Sequence, residues 1–275
     1  MTRFDLDTQP EALDDNTYRV RIDDGWWVGT GPNGGYLAAL MVRTFEAAVN
    51  DPARTCRSVT AHYLSRPEPG DAIVEVTVER SGRSMTSLSA RLTQNGRVLL
   101  TALAAFSAPR SGPAFSDLVM PEVAMPEVLS DPVFDDRMPE RAIPEMAKRY
   151  QQRWAIGSRP FSGGTRALVG GWIRLAEPQP VDAAVLAAFV DAWMPAMFSR
   201  ISGPWGITTV DLTVHVRSLP PAGYDDWCLV QFGSVESSDG FCEEDGAIWT
   251  RDGQLLAQSR QLAAILGMAG DQPRL

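Results

Sequence analysis

The strongest constraint on this chain is an order of elements that occurs twice: one helix, then several strands with no helix between them. In the first pass, "GGYLAALMVRTFEAAVN" places Leu37, Leu40, Met41, Phe45, Ala48 and Val49 at spacings of three and four. That spacing predicts a helix with one apolar face, ended by Asn50-Asp51-Pro52. Four strand-like runs follow at 57–66, 71–80, 84–93 and 97–107, separated by the turn sequences "PEPG", "SGR" and "QNG". In the second pass, "VDAAVLAAFVDAWMPAMFSRI" (181–201) predicts a helix kinked or ended near Pro195. Runs at 207–218, 227–237, 240–253 and 254–266 then read as strands. "SVTAHYLSR" aligns with "TVDLTVHVR", pairing Thr60 with Asp211 and Arg66 with Arg217, and "QNGRVLLTALAAF" aligns with "RDGQLLAQSRQLAAI". The first strands echo as well, "NTYRVRIDDGWWVG" against "AKRYQQRWAIGSR". A period of about 150 residues indicates a duplication rather than a solenoid.

This order decides how a second motif is read. "GTGPNGGY" (29–36) fits the glycine pattern of dinucleotide-binding folds, and Asp51 lies where a ribose-binding acid is expected. Such folds alternate strand and helix to build a parallel sheet, whereas here the alternation stops after one helix. Asp51 also sits in a helix-ending loop before proline rather than at the tip of a second strand. The glycines must serve another purpose.

Composition narrows the possibilities further. Lys and Arg number 25 against 34 Asp and Glu, a net charge of −9 with no basic block, which argues against a nucleic-acid partner. No apolar run is long enough for a membrane helix, and the first residues lack a signal-peptide pattern, so a cytoplasmic protein is expected. Cys56, Cys228 and Cys242 have no metal-type spacing and read as reduced thiols. Neither a metal nor another cofactor is expected. Residues 108–145 carry seven prolines and read as an extended connector, which divides the chain into 1–107, 108–145 and 146–275.

A long helix wrapped by an antiparallel sheet, present twice, is an α+β double hotdog. The chain resembles the double-hotdog acyl-CoA thioesterases, the type II group and its thioesterase-like relatives, along nearly its whole length. The resemblance rests on "PNGGYLAAL", "VDLTVHVR" and "TRDGQLLAQSRQLA". It implies an acyl-CoA substrate and hydrolysis by a water that an Asp, a Ser or Thr, and a Gln orient. Carried onto this sequence, these are Asp211, Ser238 (with Ser237 as a neighbouring alternative) and Gln261. The family's His-x-x-Trp after the Asp is replaced by Leu212, Thr213 and Val214. It further implies that two halves pair within one chain as subunits would, with association into a homo-oligomer compatible with that arrangement.

The residues themselves fit this chemistry. As a strand, 207–218 sends Val210, Leu212, Val214 and Val216 one way and Thr209, Asp211, Thr213, His215 and Arg217 the other. Asp211 is then expected on the polar face, ionised and able to act as general base. Its repeat partner Thr60 is not acidic, so one half alone carries the acid. Gly34 and Gly35 open the first helix, where unpaired N–H groups and the positive end of the dipole can polarise a thioester carbonyl or the developing oxyanion. Asp191, in "FVDAWMP" on the second helix, is the reserve candidate for the base. Trp26 and Trp27 are candidates to line an acyl or adenine slot, with core packing as the alternative. Arg57, Arg66 and Arg217 are candidates for the phosphates of coenzyme A. His62 and His215, the only histidines, lie on strands, which disfavours a hotdog hydratase, and the absence of G-x-S-x-G excludes a serine α/β-hydrolase. A non-catalytic acyl- or CoA-binding protein of the same fold is the competing reading.

Overall fold

A computed structural model describes residues 1–130, 133, 143–203 and 205–267. The chain opens with helix α1 (Arg3–Thr8), strands β1 (Glu11–Asp14) and β2 (Thr17–Ile22), and the short pair β3 (Trp27–Val28) and β4 (Gly31–Pro32). Helix α2 (Gly34–Val49) follows, then β5 (Thr55–Tyr63), β6 (Gly70–Ser81), β7 (Met85–Gln94) and β8 (Arg97–Ser107). The second half holds β9 (Tyr150–Gly157), β10 (Ala167–Leu175), α3 (Ala183–Phe189), α4 (Met197–Arg200) and β11 (Gly206–Val216). It ends with β12 (Cys228–Ser234), β13 (Ser237–Ser238), β14 (Phe241–Thr250) and β15 (Leu255–Leu266).

Among the described residues, one antiparallel sheet runs β1-β2-β6-β7-β8-β5-β11-β15-β14-β12-β10-β9, with β13 paired to β14. The order is nearly symmetric about its middle, where β5 of the first half pairs with β11 of the second, Val59 opposite Val214 and Ala61 opposite Leu212. Each half thus closes its otherwise bare edge on the other. The hotdog architecture expected from the repeat is the one observed.

Helix α2 is held by caps at both ends. Asn33 accepts the Tyr36 amide at 2.9 Å at the start, and Asn50 takes a left-handed conformation (φ 46°) at the end. Its apolar surface is wider than the stripe read from spacing: every residue from Gly35 to Val42 is buried. The reason is a second neighbour, because α3 packs against α2 in addition to the sheet. Arg43 pins this layer by pairing with Asp182 at 2.7 Å, and Asp182 also caps α3 through the Val185 amide at 3.0 Å.

The second helix is much shorter than the sequence suggests. It ends at Phe189, before Pro195 is reached, and helical structure resumes only at Met197. The interruption turns on short bonds, Asp191 N–H to the Ala188 carbonyl at 3.4 Å and Ala192 N–H to the Phe189 carbonyl at 3.3 Å. Several elements escaped the sequence reading, among them α1, β1, the short pair β3 and β4, and the glycine-containing strand β10, whose near-continuous apolar run fits a strand buried on both faces. Within the connector, Trp172 donates to the Ala124 carbonyl at 2.8 Å, and Met120, Val123 and Leu129 pack against Ile156, Trp172, Trp227 and Leu229. Residues 131–132 and 134–142 of the connector lie outside the described residues.

Candidate functional site

The break after α3 delivers Asp191 to the N-terminus of α2. The Asp191 carboxylate accepts the Gly35 amide at 2.9 Å and the Asn33 side-chain amide at 2.9 Å, and the same Asn33 nitrogen donates to the Asp191 carbonyl at 2.7 Å. Gly34 and Gln261 lie near enough to this carboxylate to favour its ionised form. On the other side of the helix start, the Tyr63 hydroxyl donates to the Gly34 carbonyl at 2.7 Å. A Cβ at Gly35 would lie 2.7 Å from the Ala188 carbonyl oxygen and 2.9 Å from the Asp191 Cβ, so only glycine permits this approach of the two helices.

Asp191 is half-buried. Crowding by protein atoms pushes its carboxyl up to about 6, against the opposing effect of the Gly35, Gly34, Gln261 and Asn33 donors. It is therefore predominantly ionised at neutral pH and still basic enough to take a proton.

Gln261 is buried (7% exposed) at the centre of the cluster. Thr209 donates its hydroxyl to the Gln261 Oε1 at 2.9 Å, and the Gln261 Nε2 donates to Glu244 at 2.8 Å. Glu244, also buried, accepts the Ala196 amide at 2.5 Å. Burial pushes its carboxyl up to about 7.

Of the residues expected to act together, the structure brings Gln261, Gly34 and Gly35 into this cluster and leaves Asp211 and Ser238 outside it. Asp211 alternates with the buried Leu212 and Val214 and so faces outward, and a bulge in β11 between Thr209 and Asp211 separates it from Thr209. Thr209 lies opposite Ala263, whereas Asp211 lies opposite Leu262 and Leu212 opposite Gln261. Cross-strand partners share a face, so the extra residue Val210 sends Thr209 inward with Gln261 and Asp211 outward with the 37% exposed Leu262. Strict alternation had put Thr209 and Asp211 together. The Asp211 carboxylate accepts instead from the Leu262 amide at 3.4 Å. Ser238 is exposed on β13, next to the Asp239-Gly240 turn, and Ser237 approaches the Met197 sulfur at 3.9 Å. The amide of Gly35 is taken by the Asp191 carboxylate, a protein anion where a substrate oxygen was expected.

Thr209, Glu244 and Asn33 were missed as site residues. Glu244 had a legible signal: in "FCEEDGAIW" it falls on the phase of Cys242, Gly246 and Ile248, an acid on the inner face of a strand. Thr209 had none, because a bulge decides its face. Trp26 is core, stacked on Tyr36 at 4.9 Å with its indole nitrogen donating to Asp7 at 2.8 Å. Asp51 serves locally, accepting the Ala53 amide at 3.0 Å and pairing with Arg54 at 3.0 Å. The three cysteines are free and buried, with burial pushing each thiol up, Cys56 and Cys228 to about 12 and Cys242 to about 11. Among the described residues, no helix is long and apolar enough to cross a membrane.

Comparison with known proteins agrees with this architecture. The model of the acyl-CoA thioesterase N-terminal domain matches residues 23–107, and that of the acyl-CoA thioesterase C-terminal domain matches residues 125–265. The chain is 25% identical to the thioesterase-like protein TwmA of Talaromyces wortmannii, covering 96% of this chain and 92% of that one. A hotdog-fold protein of unknown function from Alicyclobacillus acidocaldarius superposes with a TM-score of 0.86 at 26% identity, covering 97% of this chain and 99% of that one. The acyl-CoA thioesterase II TesB2 of Mycobacterium marinum shares the fold, with a TM-score of 0.77 at 20% identity over 97% and 99% of the two chains. With both domain models falling in order along one chain and the two halves joined through β5 and β11, the protein belongs to the double-hotdog acyl-CoA thioesterase family.

Proposed function

We propose that this protein hydrolyses acyl-CoA thioesters at the α2 N-terminus and that Asp191, rather than Asp211, is the base. The observation that carries the reading is the Asp191 carboxylate itself: it is fixed by the Gly35 and Asn33 N–H groups, raised in basicity, and carried by a half-buried residue, so that water can reach one edge. Water at that edge gives a proton to Asp191, and its oxygen attacks the thioester carbonyl carbon. The tetrahedral intermediate then collapses with cleavage of the C–S bond, and the proton on Asp191 passes to the departing sulfur. The products are the free acid and coenzyme A thiol.

The positive end of α2 supports both halves of this sequence. It stabilises the charge on Asp191 before proton transfer, and as Asp191 becomes neutral its field and amides become available to the oxyanion. In this role Gly34 and Gly35 act on the base first and on the substrate oxygen second. Thr209 and Gln261 complete the water's surroundings, with the threonine hydroxyl fixing the direction of the Gln261 amide.

The test is thiol release from a panel of acyl-CoAs by the wild type, Asp191→Asn and Asp211→Asn. Loss of turnover in Asp191→Asn with retention in Asp211→Asn supports the assignment, and the opposite pattern returns the base to Asp211. Saturable acyl-CoA binding with no thiol release by the wild type identifies a non-catalytic binder.

A further inference from the structure

Strand β14 carries three consecutive acids, and they have different fates. Glu243 and Asp245 face outward: Glu243 accepts the Val235 and Glu236 amides at 2.7 and 3.0 Å, and Asp245 pairs with Arg260. Glu244 faces inward at 9% exposure, and its two oxygens accept N–H bonds from neutral groups, the Ala196 amide and the Gln261 side chain. Holding a carboxylate there without a cation is costly, and nothing in the packing of β14 requires an acid.

The bonds around Gln261 explain the position. Its oxygen is taken by the Thr209 hydroxyl, so its nitrogen is the end that donates to Glu244, with the Asp191 carboxylate close enough to be favoured as an anion by it. Building on the hydrolytic reading above, we propose that Glu244 is a positioning residue: its carboxylate locks the Gln261 amide in the orientation that turns its NH2 group, and not its oxygen, toward Asp191. The Ala196 amide fixes one Glu244 oxygen, and the other is left as an obligatory acceptor for Gln261. A neutral amide at 244 would accept from Ala196 and turn an NH2 toward the Gln261 NH2. Gln261 must then flip, presenting its oxygen, and no longer its NH2 group, to both partners. The titratable groups nearest this pair are Cys242 on the same face of β14 and Glu243 on its outer face, with Tyr63 from β5 and Tyr150 from β9 on the Asp191 side.

The experiment compares Glu244→Gln and Glu244→Asp with the wild type in steady-state acyl-CoA hydrolysis and in a 13C NMR titration of the Asp191 carboxyl carbon. Glu244→Gln is expected to lower kcat about 100-fold, the scale of losing one preorganised donor, with KM within about threefold. Its Asp191 midpoint should rise, because the carboxylate loses a nearby NH2 group and gains a facing oxygen. Removal of a like charge alone would move that midpoint down, so the direction separates positioning from simple repulsion. Glu244→Asp keeps the charge but not the reach, and it should lose kcat as well; it also serves if Glu244→Gln does not fold. Unchanged kcat in both variants, or a falling Asp191 midpoint in Glu244→Gln, overturns the proposal. If the wild type hydrolyses no acyl-CoA while the midpoint still rises, the hydrolytic reading fails and the hold of Glu244 on Gln261 stands.

Discussion

The two halves share one topology and differ where it matters. In the first half, α2 runs unbroken for 16 residues and begins at Gly34; in the second, α3 stops after 7 residues and the chain turns at Asp191. The intact helix contributes a dipole, two unobstructed amides and the capping Asn33. The broken one contributes the acid, and the sheet of the second half adds Thr209, Glu244 and Gln261. Duplication thus produced two scaffolds whose divergence makes one composite site. The lesson is that an irregularity in one repeat is as informative as the regularity of both.

The largest expected effect comes from removing what the broken helix supplies. Asp191→Asn should lower kcat/KM by about 10³-fold or more, whereas Asp211→Asn on the outer face should stay within about threefold, read by thiol release. Closing the contact between the halves comes next. Gly35→Val puts atoms into the Ala188 carbonyl and should abolish turnover; full activity in that variant would show that the helices can part without loss. The cores can then be compared directly. Phe45→Ala in α2 and Phe189→Ala at the end of α3 both empty fully buried sites, and each should cost about 3–5 kcal/mol in denaturant unfolding. A clearly smaller loss for Phe189 would show that the interrupted helix can collapse into the space left behind.

A subtler contrast lies in pH. The Asp191 and Glu244 carboxyls are both raised in the folded chain, to about 6 and about 7, so the folded state binds their protons more tightly than the unfolded state. Their contribution to stability is largest below the ordinary carboxylate range and is lost as pH rises through those values. It amounts to on the order of 2–3 kcal/mol per acid. The melting temperature of Glu244→Gln relative to the wild type should therefore improve between pH 5 and pH 8, and a flat difference would contradict the raised values. Smallest of all, Ser238→Ala on its exposed hairpin should change stability by less than about 0.5 kcal/mol and turnover by less than about twofold.

What could be read from the residues alone follows from local rules. Period-2 and period-3.6 patterns placed α2, β5–β8, β11, β12, β14 and β15 within a few residues, because each buries one face or stripe against a neighbour. Turn chemistry separated the strands, and the repeated order carried the double hotdog without any contact being known. The same rules failed where a non-local bond overrode them. The apolar, alanine-rich run through 181–201 promises a continuous helix, yet the bonds from Asn33 and Gly35 to Asp191 hold that chain in a turn.

The sequence by itself determined the duplicated topology and the glycine-opened helix, both of which depend on periodicity and steric freedom. Tertiary structure alone decided which acid meets that helix and which hydroxyl meets Gln261. A single bulge residue, Val210, exchanges the faces of its neighbours, and the register that creates it is set by β15, some 50 residues farther along the chain.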